Sequence, residues 1–240
     1  MADQELTVVL VHGAFAESAS WNGVIERLGP AYSVVAVANP LRGVTTDAAY
    51  VRDVVRGIGG PVLLVAHSYG GMVITEAAAD EPTVRGLVYV NGFCPDTGES
   101  ALALSGKFPG STLGDTLVSY PVSSGGNEVA IGQDAYHAQF AADVSDDQAA
   151  LMARTQRPVT EQALGEGLAT ATPPWQSLPT WFVFGDSDNN IPVAVHRFMA
   201  ERAGARGIRE VAGASHAMTV SRPGEVAESV IEAARGVGAG

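Results

Sequence analysis

The sequence is poor in cysteine, in charge and in long apolar runs. One of its 240 residues is cysteine, Cys94, so no internal disulfide can form, which fits a reducing, cytoplasmic compartment. Charged residues make up 17%, below the roughly 25% usual for soluble domains, so few solvated charge runs are available. Bases are the scarcer sign: 14 Lys and Arg stand against 26 Asp and Glu, for a net charge of −12. A surface this negative repels phosphate backbones and anionic lipid, which argues against nucleic-acid partners and membrane docking. No apolar run approaches the roughly 18 residues of a membrane span. The acidic start Met1-Ala2-Asp3-Gln4-Glu5 lacks the basic residues and apolar stretch of a secretory signal. No histidine pair has metal-ligand spacing, and neither a metal nor another cofactor is expected.

What remains is a 46% hydrophobic chain long enough to bury a sizeable core. Short, nearly all-apolar runs read as strands at Leu6–Val11, Ser33–Ala38, Val62–Ala66, Leu87–Val90, Thr180–Phe184 and Ile208–Val211. Most lack in/out alternation, the mark of parallel strands covered on both faces. Helical patterns fall at Ser20–Leu28, Thr46–Ile58, Tyr69–Asp80, Val193–Arg202 and Pro223–Arg235. Thr45 and Thr46 read as caps of the second, and Pro223 sits in the first turn of the last. The alternation predicts an α/β fold, a doubly wound, mostly parallel six-stranded sheet, with ligands bound outside the strands' carboxyl ends. From Phe93 to about Leu178 the rhythm breaks into short helical patterns such as Gln133–Ala142 and Asp146–Arg154. Residues 93–178 therefore read as a helical cap inserted into a core of residues 1–92 and 179–240, with a frayed tail over Gly236–Gly240.

The segment Val62-Leu63-Leu64-Val65-Ala66-His67-Ser68-Tyr69-Gly70-Gly71-Met72 runs from a buried strand through a serine into a helix. A serine hydroxyl is a weak nucleophile, and a sharp strand-to-helix turn lifts it clear of the sheet toward a base and a substrate. Residues two before and two after must be small, as Ala66 and Gly70 are; Ala66 stands where glycine is usual. Taken alone, the segment also allows an ordinary helix N-cap serine.

Three further loops follow strands. Val11-His12-Gly13-Ala14-Phe15 can offer the Ala14 N–H to an oxyanion, with the Tyr69 N–H as second donor; His12 reads as a brace for the loop. By itself, His12-Gly13 is equally a plain turn. Gly185-Asp186-Ser187-Asp188-Asn189-Asn190-Ile191-Pro192 supplies a carboxylate to orient a histidine, Asp188 by its spacing and Asp186 as the competing choice. Ala212-Gly213-Ala214-Ser215-His216-Ala217-Met218 places His216 to act as general base and then acid. The side chain of His67 is expected to point away from Ser68, and His137 and His196 read as surface or packing residues.

The order oxyanion loop, Ser, Asp, His resembles that of the α/β-hydrolase family over nearly the whole chain. Within it the sequence looks most like the small single-cap branch of plant methyl esterases and hydroxynitrile lyases, to whose cap entry Phe93-Cys94-Pro95-Asp96 is similar. The resemblance implies a serine hydrolase acting on a small, mostly apolar carboxylic ester, with Ser68, Asp188 and His216 catalytic. Phe15, Trp175 and Met218 are expected to bind substrate. Hydroxynitrile lyases of that branch carry a lysine directly after the catalytic histidine; this chain has Ala217, which weakens a lyase reading. A ligand-binding receptor on the same scaffold is the other alternative. A homodimer is compatible with the sequence, which does not fix oligomeric state.

Overall fold

Val and Leu dominate the strands because both faces of the sheet are covered. A computed structural model describes residues 5–123 and 125–238. In chain order its strands are β1 (Thr7–Val11), β2 (Ser33–Val37), β3 (Val62–His67), β4 (Val84–Val90), β5 (Leu117–Pro121), β6 (Asn127–Ile131), β7 (Val159–Thr160), β8 (Thr180–Gly185) and β9 (Gly207–Val211). The α-helices are α1 (Asn22–Leu28), α2 (Val44–Ile58), α3 (Gly70–Ala77), α4 (Ala101–Ser105), α5 (Tyr136–Phe140), α6 (Asp146–Thr155), α7 (Glu161–Gly165), α8 (Val193–Arg202), α9 (Met218–Ser221) and α10 (Pro223–Gly238). Six strands form one parallel sheet in the order β2-β1-β3-β4-β8-β9. Successive residues serve opposite layers: Val9, Val11, Leu64 and Ala66 pack on the side of α2 and α3, and Val8, Leu10, Leu63 and Val65 on the side of α1 and α10. The winding reverses between β1 and β3, so the crevice at their carboxyl ends is the natural ligand position.

Departures from the sequence reading have local causes. The exposed Arg85 and the glycine after it interrupt the apolar run of β4, which begins at Val84 rather than Leu87. Helix α3 stops at Ala77, and Asp80, once expected within it, takes a left-handed φ of 60°. Helix α2 starts at Val44, before both Thr45 and Thr46. Its N-cap residue is Gly43, which has no side chain to offer. The Glu166 carboxylate accepts from the N–H groups of Val44 (2.8 Å) and Thr45 (3.1 Å) instead, a cap supplied from far along the chain. The chain expected to fray from Gly236 is helical through Gly238, and residues 239 and 240, like Met1 to Gln4, lie outside the described residues.

Between β4 and β8 the chain is not purely helical. Besides α4 to α7 it carries a three-stranded antiparallel sheet in the order β5-β6-β7. In β5 and β6 only Val129 and Ile131 are buried, and Ser119, Tyr120 and Pro121 face solvent, so no apolar period marks these strands. No described helix is long and apolar enough to cross a membrane.

Candidate active site

Ser68 follows β3 with φ 54°, in the left-handed region that a non-glycine residue adopts only under constraint. Its neighbours impose that turn. A Cβ on Gly70 would lie 2.6 Å from the Val11 carbonyl oxygen, and one on Gly71 2.1 Å from that of Phe93. Gly13 presses on the serine itself, since a Cβ there would sit 2.5 Å from Ser68 Cβ. The loop after β1 thus packs directly against the turn that bears Ser68. Among the described residues the N–H groups of Ala14 and Tyr69 have no hydrogen-bond partner, whereas the next N–H, of Phe15, donates to the Arg157 carbonyl at 3.0 Å.

His12 braces this loop. Its Nε2 accepts from the Asn39 N–H at 3.0 Å, which leaves Nδ1 to carry the proton and donate to the Gly13 carbonyl at 2.9 Å. Burial lowers its pKa to about 4, so it stays neutral.

The structure separates the two acidic candidates. Asp188 Oδ2 lies 2.7 Å from His216 Nδ1, and both side chains are fully buried. Its Oδ1 accepts from the N–H groups of Asn190 (2.8 Å) and Ile191 (2.9 Å). Burial alone would raise this carboxyl, but electrostatic attraction to the His216 ring and hydrogen bonds from His196 and His216 hold it well below the usual carboxylate range. Asp186 is turned away, accepting from the Gly213 N–H at 2.7 Å and Ser187 Oγ at 2.9 Å.

With a carboxylate on Nδ1, His216 carries its proton there and presents a lone pair at Nε2. That Nε2 is buried and has no hydrogen-bond partner, so Ser68 Oγ does not bond to it in this conformation. His67, one residue before the serine, sits with its ring centroid 4.7 Å from that of His216 and its Nε2 2.9 Å from the His216 carbonyl. Burial, followed by electrostatic repulsion from a protonated His216, lowers the His67 pKa to about 3. It holds the backbone of the loop that bears His216. No three His, Cys, Asp or Glu side chains among the described residues are grouped to hold a metal.

Ser68, 7% exposed, opens on a cavity of about 210 Å³. Its walls are mostly apolar, with Phe15, Phe93, Leu113, Leu117, Leu164 and Ile191, and include no lysine or arginine. A larger open groove of about 680 Å³ shares Phe15 but does not reach Ser68.

The family model of the Alpha/beta hydrolase family matches residues 8–229. The chain belongs to that family. Among its relatives, polyneuridine aldehyde esterase of Rauvolfia serpentina is 24% identical over 180 residues, covering 71% of this chain and 68% of that one. The alpha-hydroxynitrile lyase of Arabidopsis thaliana is 24% identical over 244 residues, covering 92% and 94%. A carbendazim hydrolyzing esterase of a Nocardioides species is 45% identical, but over 67 residues that cover 26% of this chain and 28% of that protein. Of solved structures, polyneuridine aldehyde esterase superposes with a TM-score of 0.79 at 21% identity (96% and 99% covered), and a pyrethroid hydrolase of Sphingobium faniae with 0.74 at 20% (96% and 98%). At these identities the structural likeness is one of fold.

Within this hydrolase fold, two residues expected to bind substrate do not line the cavity at Ser68. Trp175 is not on the cavity wall: its indole N–H needs an acceptor and finds the Pro95 carbonyl at 2.7 Å, while its ring stacks 5.4 Å from the Arg202 guanidinium. Met218 is buried on the opposite side of the sheet, with Trp21 and Ala214. Phe15 does line the cavity.

Two further residues touch these loops. His196, read as surface or packing, is fully buried with Nε2 3.4 Å from the same Asp188 Oδ2, and its ring stacks on Phe184. Asn91, at the end of β4, accepts from the Gly185 N–H (2.8 Å) and donates through Nδ2 to the carbonyls of Ser215 (2.9 Å) and His216 (3.1 Å). It ties the strand leading to Asp188 to the loop bearing His216. A polar residue at the carboxyl end of an otherwise apolar strand was the available signal.

Proposed function

We propose that this chain is a serine hydrolase that cleaves small, mostly apolar carboxylic esters through an acyl-enzyme. The observation that carries the reading is the unpartnered Nε2 of His216, with Nδ1 fixed by Asp188, on the loop beside the left-handed turn of Ser68. A buried acceptor without a donor costs roughly 1–3 kcal/mol, and such a cost is expected where a group must receive a proton during reaction. A side-chain rotation of Ser68 or substrate binding closes the pair, as is common between free and bound forms of such sites.

In this reading Ser68 Oγ attacks the ester carbonyl carbon while its proton passes to His216 Nε2. The carbonyl π pair moves onto oxygen, where the N–H groups of Ala14 and Tyr69 hold it; each such donor contributes about 3 kcal/mol. The carbon–alkoxy bond breaks and the departing oxygen takes the proton from His216. Water then attacks the acyl-serine, its proton passing through His216 back to Ser68 Oγ, and the carboxylic acid leaves. Asp188 stays ionised and stabilises the transient imidazolium. No cofactor enters these steps.

The esterase relatives support ester chemistry. A lyase reading is disfavoured by Ala217 after His216 and by a cavity wall without lysine or arginine to hold a departing anion. The test is a graded series of p-nitrophenyl esters with wild type and Ser68→Ala, together with fluorophosphonate labelling. A fall of at least a thousandfold in kcat and loss of label at Ser68 are expected. Undiminished turnover by the variant would refute the mechanism.

A further inference from the structure

The cavity wall carries few polar side chains, and all but two have their protons committed. Tyr69 OH donates to Asp47 Oδ2 at 2.9 Å, Ser105 Oγ to the Leu102 carbonyl at 3.1 Å and Ser111 Oγ to the Asn190 carbonyl at 2.9 Å. Besides Ser68, Asn190 remains.

The orientation of its amide follows from a chain of donors and acceptors. The Asn189 carbonyl can only accept, so the Gln139 atom 2.9 Å from it is Nε2. That same nitrogen lies 2.8 Å from the Asn190 side chain, whose facing atom must therefore be Oδ1. Gln139 Oε1, on the other side, accepts from Thr112 Oγ1 at 2.9 Å. The Asn190 N–H is held by Asp188 Oδ1 and its carbonyl by Ser111. Every polar group of Asn190 except Nδ2 is engaged; Nδ2 has no partner among the described residues. The residue is 3% exposed and borders the cavity.

We infer that Asn190 is a specificity-determining residue whose Nδ2 donates to an acceptor oxygen, ether or carbonyl, in the group of the ester that fills the cavity. The inference rests on the ester-hydrolase reading above. A pure hydrocarbon group leaves this donor desolvated and unpaired; an acceptor at the right place satisfies it, in an otherwise apolar pocket. The preferred substrates are thus compact esters that are apolar except for one oxygen beyond the reacting carbonyl.

Matched p-nitrophenyl esters differing by one CH2-to-O exchange test this, such as butyrate against methoxyacetate and pentanoate against 3-methoxypropionate. They are assayed with wild type, Asn190→Leu and Asn190→Ala, the second variant covering the case that leucine prevents folding. The ratio of kcat/KM within a pair, compared between enzymes, cancels the intrinsic reactivity of each ester. In at least one pair the oxygen-bearing ester is expected to be favoured about tenfold more by wild type than by the variants. Ratios equal within twofold for every pair, from a wild type that cleaves the hydrocarbon esters, would overturn the role of Asn190 alone. A wild type that cleaves none of them removes the ester-hydrolase reading and this inference with it.

Discussion

Replacing Asn91 tests whether one buried amide keeps the loops bearing Asp188 and His216 in register. Asn91 is fully buried with φ 39°, a conformation asparagine and aspartate tolerate better than apolar residues. Asn91→Leu leaves the Gly185 N–H and the Ser215 carbonyl without partners, whereas the His216 carbonyl keeps its bond from His67. At roughly 1–3 kcal/mol for each orphaned group, the loss is about 2–6 kcal/mol, a large part of the stability of a domain. Asn91→Asp is the sharper probe because it preserves shape and backbone preference. One of its oxygens still accepts from Gly185; the other faces two carbonyls and must be protonated to bond to either. Burial and those carbonyls raise the new carboxyl above the unfolded value near 3.9, so the folded state binds the extra proton. The variant is then closest to wild type below about pH 4 and falls behind as pH rises through the folded pKa, by about 1.4 kcal/mol per unit of elevation. Urea unfolding of both proteins at several pH values from 5 to 8 measures the difference, and kcat is expected to fall about 10- to 100-fold as the base loop shifts. A stability difference that does not grow with pH would refute this account of Asn91.

Gly13→Ala puts a methyl carbon 2.5 Å from Ser68 Cβ and 2.8 Å from the His67 carbonyl oxygen; backbone must move, so a loss of about 1–3 kcal/mol and at least a hundredfold in kcat/KM are expected, read by urea unfolding and ester hydrolysis. Wild-type stability is itself expected to fall on the acid side. Burial holds His12 near a pKa of about 4 and His67 near about 3, so the unfolded chain takes up protons below about pH 6.5 that the native state refuses. Their contribution is complete above that pH and is lost as pH drops toward 4, about 3 kcal/mol for His12 alone. Urea midpoints unchanged between pH 7.5 and pH 5 would contradict it.

The parallel sheet and the three loops at its rim were readable because each rests on a local rule. Two-sided burial makes β3 and β8 short apolar runs, and the serine and aspartate follow their carboxyl ends; the histidine follows β9, an edge strand whose Arg209 and Glu210 break the run. The choice of Asp188 over Asp186 also has a local cause, for Oδ1 of Asp188 closes a turn onto the N–H groups of Asn190 and Ile191 and thereby directs Oδ2 at His216. The packing reading of His196 holds, but its contact with Asp188 could not be read, for the opposite reason. A histidine on the buried face of α8 with Val195, Met199 and Ala200 reads as packing, and only the arrival of Asp188 from the preceding loop gives it a polar partner. Strands β5 and β6 escaped notice because their register is set by tertiary contact: the Gln156 amide bonds both the N–H and the carbonyl of Ile131 from outside the pair.

The same distinction explains why the substrate wall was the least readable part. The chain between β4 and β8 is fastened to the core by polar contacts between residues far apart in sequence. Glu166 caps α2, Arg42 pairs with Glu128 and donates to the Pro158 carbonyl at 3.2 Å, and the Thr160 N–H donates to the Leu41 carbonyl at 3.2 Å. Two more such contacts hold Phe15, through Arg157 at its N–H and Tyr136 OH at its carbonyl (2.8 Å). No periodicity or spacing rule pairs such residues. Yet Phe15 adjoins Ala14, so the insertion that walls the cavity also anchors the residue next to the N–H proposed to receive the oxyanion. In the proposed mechanism, substrate fit and transition-state stabilisation are thereby linked through the Ala14–Phe15 backbone, and a change in the insertion is expected to lower kcat/KM without touching Ser68, Asp188 or His216.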